Sequence, residues 1–194
     1  MAMTDDFRYT VMMSVYSRVD CGELKTAVDS MLAQTLPPAE FVIVKDGPLT
    51  PELDAVIDRY CKEYPQLFKI CPLSENQGLG AAYAEGTKLC GCEYIAIMDS
   101  DDYSLPERSM TEAEYFSAHP ETDIVGSSIM EFIGTPDNFV SYRKMPETHD
   151  ECVKFAHSRC PSAHPSTMLR KSALLKAGGY RSCHFAEDYD LYVR

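Results

Sequence analysis

A short apolar segment that ends in acidic residues constrains the fold of this chain more than any other feature. Residues 94–98 are mainly apolar, and Asp99, Asp101 and Asp102 follow directly. An apolar run of this length is typical of a strand that is buried on both faces in an open, mainly parallel α/β sheet. Ligands of such sheets bind beyond the carboxyl ends of the strands, so these acidic residues are expected in the binding crevice.

The three carboxylates indicate a cation at this place. Negative charges so close together repel one another unless a cation or solvent compensates them. Oxygen ligands suit Mg²⁺ or Mn²⁺, which commonly bind one or two carboxylates together with substrate phosphates. The sequence therefore predicts a site in which Mn²⁺ or Mg²⁺ bridges a diphosphate. An EF-hand calcium loop is excluded, because Ser104 and Met110 would occupy its glycine and glutamate positions.

The rest of the chain alternates strand patterns with helical patterns, which is typical of βαβ units. The patterns predict strands at 9–15, 41–45, 68–71, 94–98, 124–125 and 167–169, irregular antiparallel strands within 127–145, and helices at 23–34, 51–64, 81–90, 105–119, 148–157, 171–177 and from 188 onwards. We therefore predict an α/β fold, a Rossmann-like α/β/α sandwich with a mainly parallel mixed sheet. A single domain over residues 1–194 is expected, and the short last helix suggests truncation at the C-terminus.

The composition narrows the classes of partner and location. Thirty acidic and eighteen basic residues give a net charge of -12, which disfavours nucleic acid as a partner. No apolar stretch approaches the ~20 residues that span a bilayer, and residues 1–6 lack the features of a signal peptide. A cytoplasmic location is expected, and the eight cysteines are expected to be reduced thiols. The metal-capable residues between Cys152 and His164 match no standard zinc spacing.

Two further acidic positions leave alternatives open. Asp46 also follows an apolar strand, so its side chain is expected at the same sheet edge as Asp99, although residues 46–48 taken alone favour an ordinary turn. Near the end of the chain, Glu187 and Asp188 lie in an acidic cluster. These acids either complement the dipole at the start of a helix or provide a general base.

Four short motifs lie in a characteristic order along the chain. They are residues 13–16 (Met-Ser-Val-Tyr) with 32–35 (Leu-Ala-Gln-Thr), residues 42–47 (Val-Ile-Val-Lys-Asp-Gly), residues 98–102 (Met-Asp-Ser-Asp-Asp) with Pro106, and residues 187–191 (Glu-Asp-Tyr-Asp-Leu). Together they resemble the motifs of a family 2 inverting glycosyltransferase with the GT-A nucleotide-sugar-binding fold. Residues 76–80 (Asn-Gln-Gly-Leu-Gly) resemble the glycine-bearing segment of that family. The resemblance spans nearly the whole chain.

The resemblance implies a reaction and a setting. A sugar would move, with inversion, from a nucleotide-diphosphate donor, a UDP- or GDP-sugar, to a hydroxyl of a glycan or lipid-linked acceptor. Polysaccharide or cell-envelope glycan biosynthesis is the setting that it implies. This setting also allows peripheral association of the full-length protein with the inner face of the membrane.

The resemblance also implies which residues bind the nucleotide. It implies that the backbone of Val15 and the side chain of Tyr16 flank the base, and that Asp46 accepts a hydrogen bond from the base. Asn76 and Gly78, in the glycine-bearing segment, are also expected to bind the nucleotide.

The resemblance also implies which acidic residues bind the metal ion and which one accepts the proton of the acceptor hydroxyl. Asp99 is implied to face the ribose or the water shell of the metal ion, and Asp101 to ligate the divalent ion that bridges the phosphates. Asp188 is implied to deprotonate the acceptor hydroxyl, with Glu187 as the alternative base.

Some positions depart from the common family pattern. Tyr83 and Ala84 stand where many members carry Arg-Asn, so a direct arginine contact with the nucleotide is not expected there. Lys45 replaces the first of two usual aspartates, which leaves Asp46 to recognise the base alone. His164 is expected to be a packed histidine.

Two other functions fit parts of the sequence. A strand followed by Asp-x-Asp also begins the pattern of aspartyl phosphotransferases, but Ser104 is a poor match to the threonine of that pattern. A module that binds nucleotide sugars without turnover is the second alternative.

Overall fold

The centre of the fold is formed by strands whose side chains are buried on both faces. In the computed structural model, which describes residues 6–183 and 185–194, Tyr9–Val15 (β1) and Glu40–Lys45 (β2) pair in parallel. Alternate side chains of each strand point to opposite faces of the sheet, and each face has its own hydrophobic core. Strands of this kind need helices on both sides.

Four more strands complete one mixed sheet. They are Phe68–Pro72 (β3), Tyr94–Ile97 (β4), Ile124–Gly126 (β5) and, after a hairpin, Thr167–Arg170 (β8). The hairpin consists of Ile129–Phe132 (β6) and Phe139–Arg143 (β7) and forms a separate antiparallel sheet. The order in the main sheet is β3-β2-β1-β4-β8-β5, in which β1 to β4 are parallel and β8 is antiparallel to both of its neighbours.

Helices cover both faces of this sheet. They are Cys21–Leu32 (α1), Pro51–Glu63 (α2), Leu79–Leu89 (α3), Arg108–Ala118 (α4), His149–Phe155 (α5), Lys171–Lys176 (α6) and Glu187–Tyr192 (α7). Helices α1, α2 and α4 contribute to the core on one face, and α3, α6 and α7 to the core on the other. The predicted α/β/α sandwich with a mainly parallel mixed sheet is confirmed. The single domain over residues 1–194 stays a prediction.

Local capping explains where the first helices begin. The side chain of Asp20 accepts hydrogen bonds from the backbone N–H groups of Gly22 and Glu23, so α1 begins before the apolar stripe that predicted it. Thr50 caps α2 by accepting a bond from the N–H of Leu53, and Pro51 occupies the first helical position. Both features of α2 were predicted from the sequence.

Helix α4 begins later than predicted, and tertiary hydrogen bonds give the reason. The carbonyl of Leu105 accepts a bond from the Gln34 side chain, and the carbonyl of Pro106 accepts one from the backbone N–H of Thr35. These contacts hold residues 105–107 in a turn against the end of α1, so the regular helix starts at Arg108.

Within the described residues, no helix is both long enough and apolar enough to cross a membrane. Residues 1–5, which belong to the segment considered for a signal peptide, lie outside the described part of the chain, as does His184.

Close packing of α3 on the sheet generates a stability prediction at Gly86. A Cβ atom at this position would lie 2.7 Å from Cγ2 of Val44 and 3.0 Å from the sulfur of Met12, both in the core. Gly86→Ala is therefore expected to lower the free energy of unfolding by about 1–3 kcal/mol through overpacking, despite the better helix propensity of alanine. Denaturant unfolding measures this loss.

The matched control for Gly86→Ala is Lys88→Ala on the exposed face of the same helix, where Lys88 makes only a surface ion pair. Its expected effect is below about 0.5 kcal/mol. Equal stabilities of the two variants would contradict the close packing of α3.

Candidate active site

Three strand ends lie side by side at one edge of the sheet. Strands β2, β1 and β4 are parallel neighbours, so the residues that follow them emerge together. The backbone N–H of Asp46 donates to the carbonyl of Val15 at 2.8 Å. Tyr16 follows Val15 and exposes 44% of its surface. The structure thus brings Val15, Tyr16, Asp46 and Asp99 to a single edge.

The carboxylate of Asp46 holds the glycine-bearing segment. Its Oδ1 accepts from the backbone N–H of Gln77 at 2.7 Å, and its Oδ2 accepts from that of Gly78 at 3.1 Å. The Asn76 side chain donates to the carbonyl of Asp46 at 3.2 Å. Gly47 has a φ of 84° and packs so closely on Asn76 that a Cβ atom would lie 2.6 Å from the Asn76 nitrogen. The hydrogen bond from a nucleotide base to the buried Asp46 stays a prediction.

The surroundings of Asp99 disfavour a negative charge on its carboxyl group. Burial is the largest cause, followed by the charges of Asp102 and Asp101, and together they raise the pKa of Asp99 to about 7. The hydroxyl of Tyr83 donates to Oδ1 of Asp99 at 3.2 Å, which opposes this rise, and the charge of Asp188 adds to it. Burial and the charge of Asp101 also raise the pKa of Asp102 to about 6. A cation placed here would relieve the repulsion.

The loop that carries these acids is fixed by residues in and just after α1. The Gln34 side-chain nitrogen donates to Oγ of Ser104 at 3.1 Å and to the carbonyl of Leu105 at 2.8 Å. The Gln34 side-chain oxygen accepts from the N–H of Ser109 at 2.9 Å. The N–H of Ser104 donates to Oγ of Ser30 at 3.1 Å. Because Ser30, Gln34, Ser104 and Ser109 are buried, this network holds the acidic loop in one conformation.

A buried guanidinium fixes the end of β4. Nη2 of Arg108 donates to the carbonyl of Ile97 at 2.9 Å and to that of Thr167 at 3.1 Å, while Nε donates to Glu112 at 3.1 Å. The charge of Arg108 also opposes the rise in the pKa of Asp102. Arg108 therefore joins the end of β4 to the start of β8.

The acidic cluster near the end of the chain packs against the first turn of α3. A Cβ atom at Gly80 would collide with the carbonyl of Arg181 and would lie 3.2 Å from Cβ of Glu187. Asp188 lies in the first turn of α7, and its Oδ2 accepts a hydrogen bond from the thiol of Cys160 at 3.4 Å. Asp188 therefore occupies a helix start and, at the same time, belongs to the charge cluster around Asp99.

The oxygen donors of the site suit a cation that protein and substrate hold jointly. In the part of the chain that the structure describes, no three His, Cys, Asp or Glu side chains form a ready-made metal site. Asp99 and Asp101 offer oxygen atoms only, and Mg²⁺ or Mn²⁺ commonly completes such a pair with substrate phosphates. The residues fit this arrangement. Cys160 and His164, considered for zinc, bond instead to Asp188 and Tyr192.

Sequence reasoning missed several residues that shape the site. Tyr83, noted only as a departure from the family pattern, bonds to Asp99. The pair Arg108 and Glu112 was visible as opposite charges four residues apart in a helix. The contact between Cys160 and Asp188 had no sequence signal, because the residues are 28 positions apart.

Solved structures identify the fold of this chain. S. aureus TarS superposes with a TM-score of 0.72 at 18% identity, covering 96% of this chain and 34% of TarS. The mannosyltransferase PcManGT from Pyrobaculum calidifontis, solved with GDP-Man and Mn²⁺, has a TM-score of 0.68 at 16% identity, covering 95% of this chain and 51% of that protein. The fold is the GT-A fold of glycosyltransferases.

The sequence comparisons identify the family. The profile of the family described as "Glycosyl transferase family 2" matches residues 10–177. Similar proteins are an uncharacterized glycosyltransferase of Haemophilus influenzae (34% identity, 96% of this chain and 68% of that protein) and AmsE, the amylovoran biosynthesis glycosyltransferase of Erwinia amylovora (32%, 96% and 68%). The UDP-Gal:alpha-D-GlcNAc-diphosphoundecaprenol beta-1,3-galactosyltransferase of Escherichia coli is 30% identical over 99% of this chain and 69% of its own length. The chain therefore belongs to glycosyl transferase family 2.

The comparisons lead to two further statements about this chain. The alternative of an aspartyl phosphotransferase loses its support, because the Asp-x-Asp segment lies inside the matched region. The chain also spans about two thirds of the length of these relatives and about half or less of the two solved proteins.

The charge environment of Asp99 generates a pH-dependent stability prediction. Because the pKa of Asp99 is raised in the folded state, its ionisation opposes folding. Without divalent metal, Asp99→Asn is expected to stabilise the protein by about 2–4 kcal/mol at pH 8. The gain should be small at pH 4, grow as the pH rises to about 7, and then level off.

Thermal and urea unfolding in EDTA across this pH range measure the difference. Asp58→Asn, at an exposed position of α2, is the control and should show no such pH-dependent gain. A destabilising effect of Asp99→Asn at pH 8 would contradict the proposed repulsion.

Proposed function

We propose that this protein transfers a sugar, with inversion, from a nucleoside-diphosphate sugar to an acceptor hydroxyl in a metal-dependent reaction. One observation carries the proposal: Asp99 and Asp101 follow β4, and the charge of Asp188, on α7, acts on Asp99. Asp99 and Asp101 could then act on the side of the leaving diphosphate, and Asp188 on the side of the acceptor hydroxyl. Membership of glycosyl transferase family 2 supports this function.

The donor diphosphate would lie beside the acidic loop. Asp101 is exposed and Asp99 partly so, and both would hold Mn²⁺ or Mg²⁺ together with the phosphates. The metal would supply Lewis-acid stabilisation of the charge on the departing diphosphate. The presence of Mn²⁺ in the structure of the mannosyltransferase PcManGT supports this assignment.

The nucleoside would lie on the neighbouring strand ends. The exposed ring of Tyr16 offers an apolar face to a base, beside the backbone of Val15. Asp46 would take part in recognition of the base and also holds Asn76 and Gly78 in place. We favour a UDP-sugar, because TarS has been solved with UDP and with UDP-GlcNAc and the Escherichia coli relative is named for UDP-Gal. A GDP-sugar, as in PcManGT, is the alternative.

Asp188 would act as the general base. As the acceptor oxygen bonds to the anomeric carbon from the face opposite the leaving group, its proton passes to the Asp188 carboxylate. The bond between the anomeric carbon and the diphosphate oxygen breaks, and its electron pair leaves with the nucleoside diphosphate. Glu187, next to Asp188 in the first turn of α7, is the second candidate base.

The acceptor is proposed from chemistry and relatives together. AmsE is named for amylovoran biosynthesis, and the Escherichia coli relative is named for a diphosphoundecaprenol-linked sugar. We therefore propose a glycan or lipid-linked acceptor in polysaccharide or cell-envelope glycan assembly. A cytoplasmic location, with peripheral association at the membrane face, suits such an acceptor.

Calorimetric titration with UDP tests the donor site and the metal. UDP is expected to bind in the presence of Mn²⁺, and Asp101→Ala should weaken this binding by at least about 10-fold because a metal ligand is lost. Asp58→Ala, which removes an exposed acid on α2, is the control. Equal affinities with Mn²⁺, in EDTA and in Asp101→Ala would exclude the metal bridge.

Sugar transfer tests the proposed base. Asp188→Asn should lower kcat by about 10²–10⁴-fold, because general-base catalysis contributes that much. The affinity for UDP with Mn²⁺ should stay within about twofold. Glu187→Gln is the matched comparison and should retain most activity.

The readout is the release of UDP from UDP-sugars. A parallel loss of UDP binding in Asp188→Asn would give Asp188 a structural role, and a larger loss of kcat in Glu187→Gln would transfer the role of base to Glu187.

A further inference from the structure

A buried histidine lies behind the candidate base. His164 begins a short 3₁₀ turn, His164–Ser166, that leads into β8, and its side chain is almost fully buried. Burial lowers its pKa to about 4, so the imidazole is neutral near pH 7. A neutral imidazole has one N–H donor and one nitrogen acceptor.

The hydroxyl groups around His164 fix which nitrogen carries the proton. Oγ1 of Thr167 donates its only hydrogen to the carbonyl of His164 at 2.7 Å, because a carbonyl can only accept. At the 3.2 Å contact between Thr167 and Tyr192, the tyrosine must then be the donor. Since this uses the hydrogen of Tyr192, Nδ1 of His164 must donate to the Tyr192 oxygen at 2.6 Å.

The other imidazole nitrogen completes the assignment. With the proton on Nδ1, Nε2 is an acceptor, and the hydroxyl of Tyr180 lies 3.4 Å from it. Burial keeps the pKa of both tyrosines far above neutral, so both hydroxyls carry their protons. His164, Tyr192 and Thr167 thus form a closed ring of hydrogen bonds, with Tyr180 donating into it.

This ring anchors the helix that carries Asp188. Helix α7 has only six residues, Glu187–Tyr192, so its position depends on tertiary contacts. Tyr192 lies four residues after Asp188, on the same face of the helix. A shift of Tyr192 would therefore move Asp188.

The same cluster reaches the acidic loop. The ring of Tyr83 packs against His164, with centroids 5.4 Å apart, and against Tyr180 at 5.2 Å. The hydroxyl of Tyr83 bonds to Asp99. One buried group of side chains therefore contacts Asp99 at one end and anchors α7 at the other.

We infer that His164 is a positioning residue which, through its hydrogen bond to Tyr192, holds α7 so that Asp188 stands beside the acidic loop. The inference rests on the proposed role of Asp188 as the base. His164 itself exchanges no proton with substrate, because it is enclosed by the three tyrosines and by the turn that it begins.

The kinetic test uses variants that remove single polar atoms. Tyr192→Phe keeps the ring and removes the oxygen between His164 and Thr167. Release of UDP from UDP-Gal, UDP-Glc or UDP-GlcNAc with Mn²⁺ should show kcat reduced by about 10- to 100-fold, the scale expected for a small misplacement of a catalytic group. The KM for the UDP-sugar and the affinity for UDP should change by less than about twofold.

Two further variants separate positioning from packing. His164→Asn retains a donor near the position of Nδ1. Its kcat should therefore be at least about tenfold higher than the kcat of His164→Ala. Tyr142→Phe, at an exposed tyrosine of the β6–β7 hairpin, is the matched control and should behave as the original protein. A kcat for Tyr192→Phe equal to that of Tyr142→Phe, or a parallel loss of UDP affinity, would overturn the inference.

Nitrogen-15 NMR tests the network without any substrate. At pH 7 the spectrum should show His164 neutral with the proton on Nδ1, and the signal is assigned by its absence in His164→Asn. A protonated ring, or a proton on Nε2, would overturn the hydrogen-bond ring. Failure of UDP to bind with Mn²⁺ would instead remove the proposed function and leave this spectrum unchanged, so the two failures are distinguishable.

Discussion

Like-charge repulsion at one edge of the sheet is the constraint on which the site depends. The fold brings Asp99, Asp101 and Asp102 together after β4, and α7 adds Asp188. Burial strengthens the repulsion, because less water screens the charges. An arrangement of this kind opposes folding unless a cation or solvent compensates the charges.

The surrounding structure anchors the segments that carry the acids. The Gln34 side chain, just after α1, forms hydrogen bonds with the end of the acidic loop. Arg108 joins the end of β4 to the start of β8. Asp46 fixes the glycine-bearing segment on the adjacent strand. These anchors are buried or backbone groups, and they fix the chain on both sides of the acidic residues. Such preorganisation avoids the cost of reorientation during reaction.

Local patterns in the sequence were sufficient for the architecture. The apolar runs predicted the bounds of β1 and located β2, β3 and β4 to within one residue, and Thr50 with Pro51 predicted the start of α2. The parallel order of these strands then implied that Asp46 and Asp99 lie at the same edge of the sheet. The contacts of Arg108 with Thr167 and of Cys160 with Asp188 were not predictable, because they depend on where β8 and α7 return to the sheet. Neither contact produces a periodicity or a local spacing.

The acidic residues of the site come from two elements that differ in how much of them is buried. Asp99 and Asp101 follow a central strand between two cores, whereas Asp188 lies on a helix of six residues. Local opening begins where the fewest buried contacts must break, and α7 is such an element. Under the roles proposed for these acids, nucleotide binding would then persist to a higher temperature than sugar transfer, so thermal inactivation would precede global unfolding.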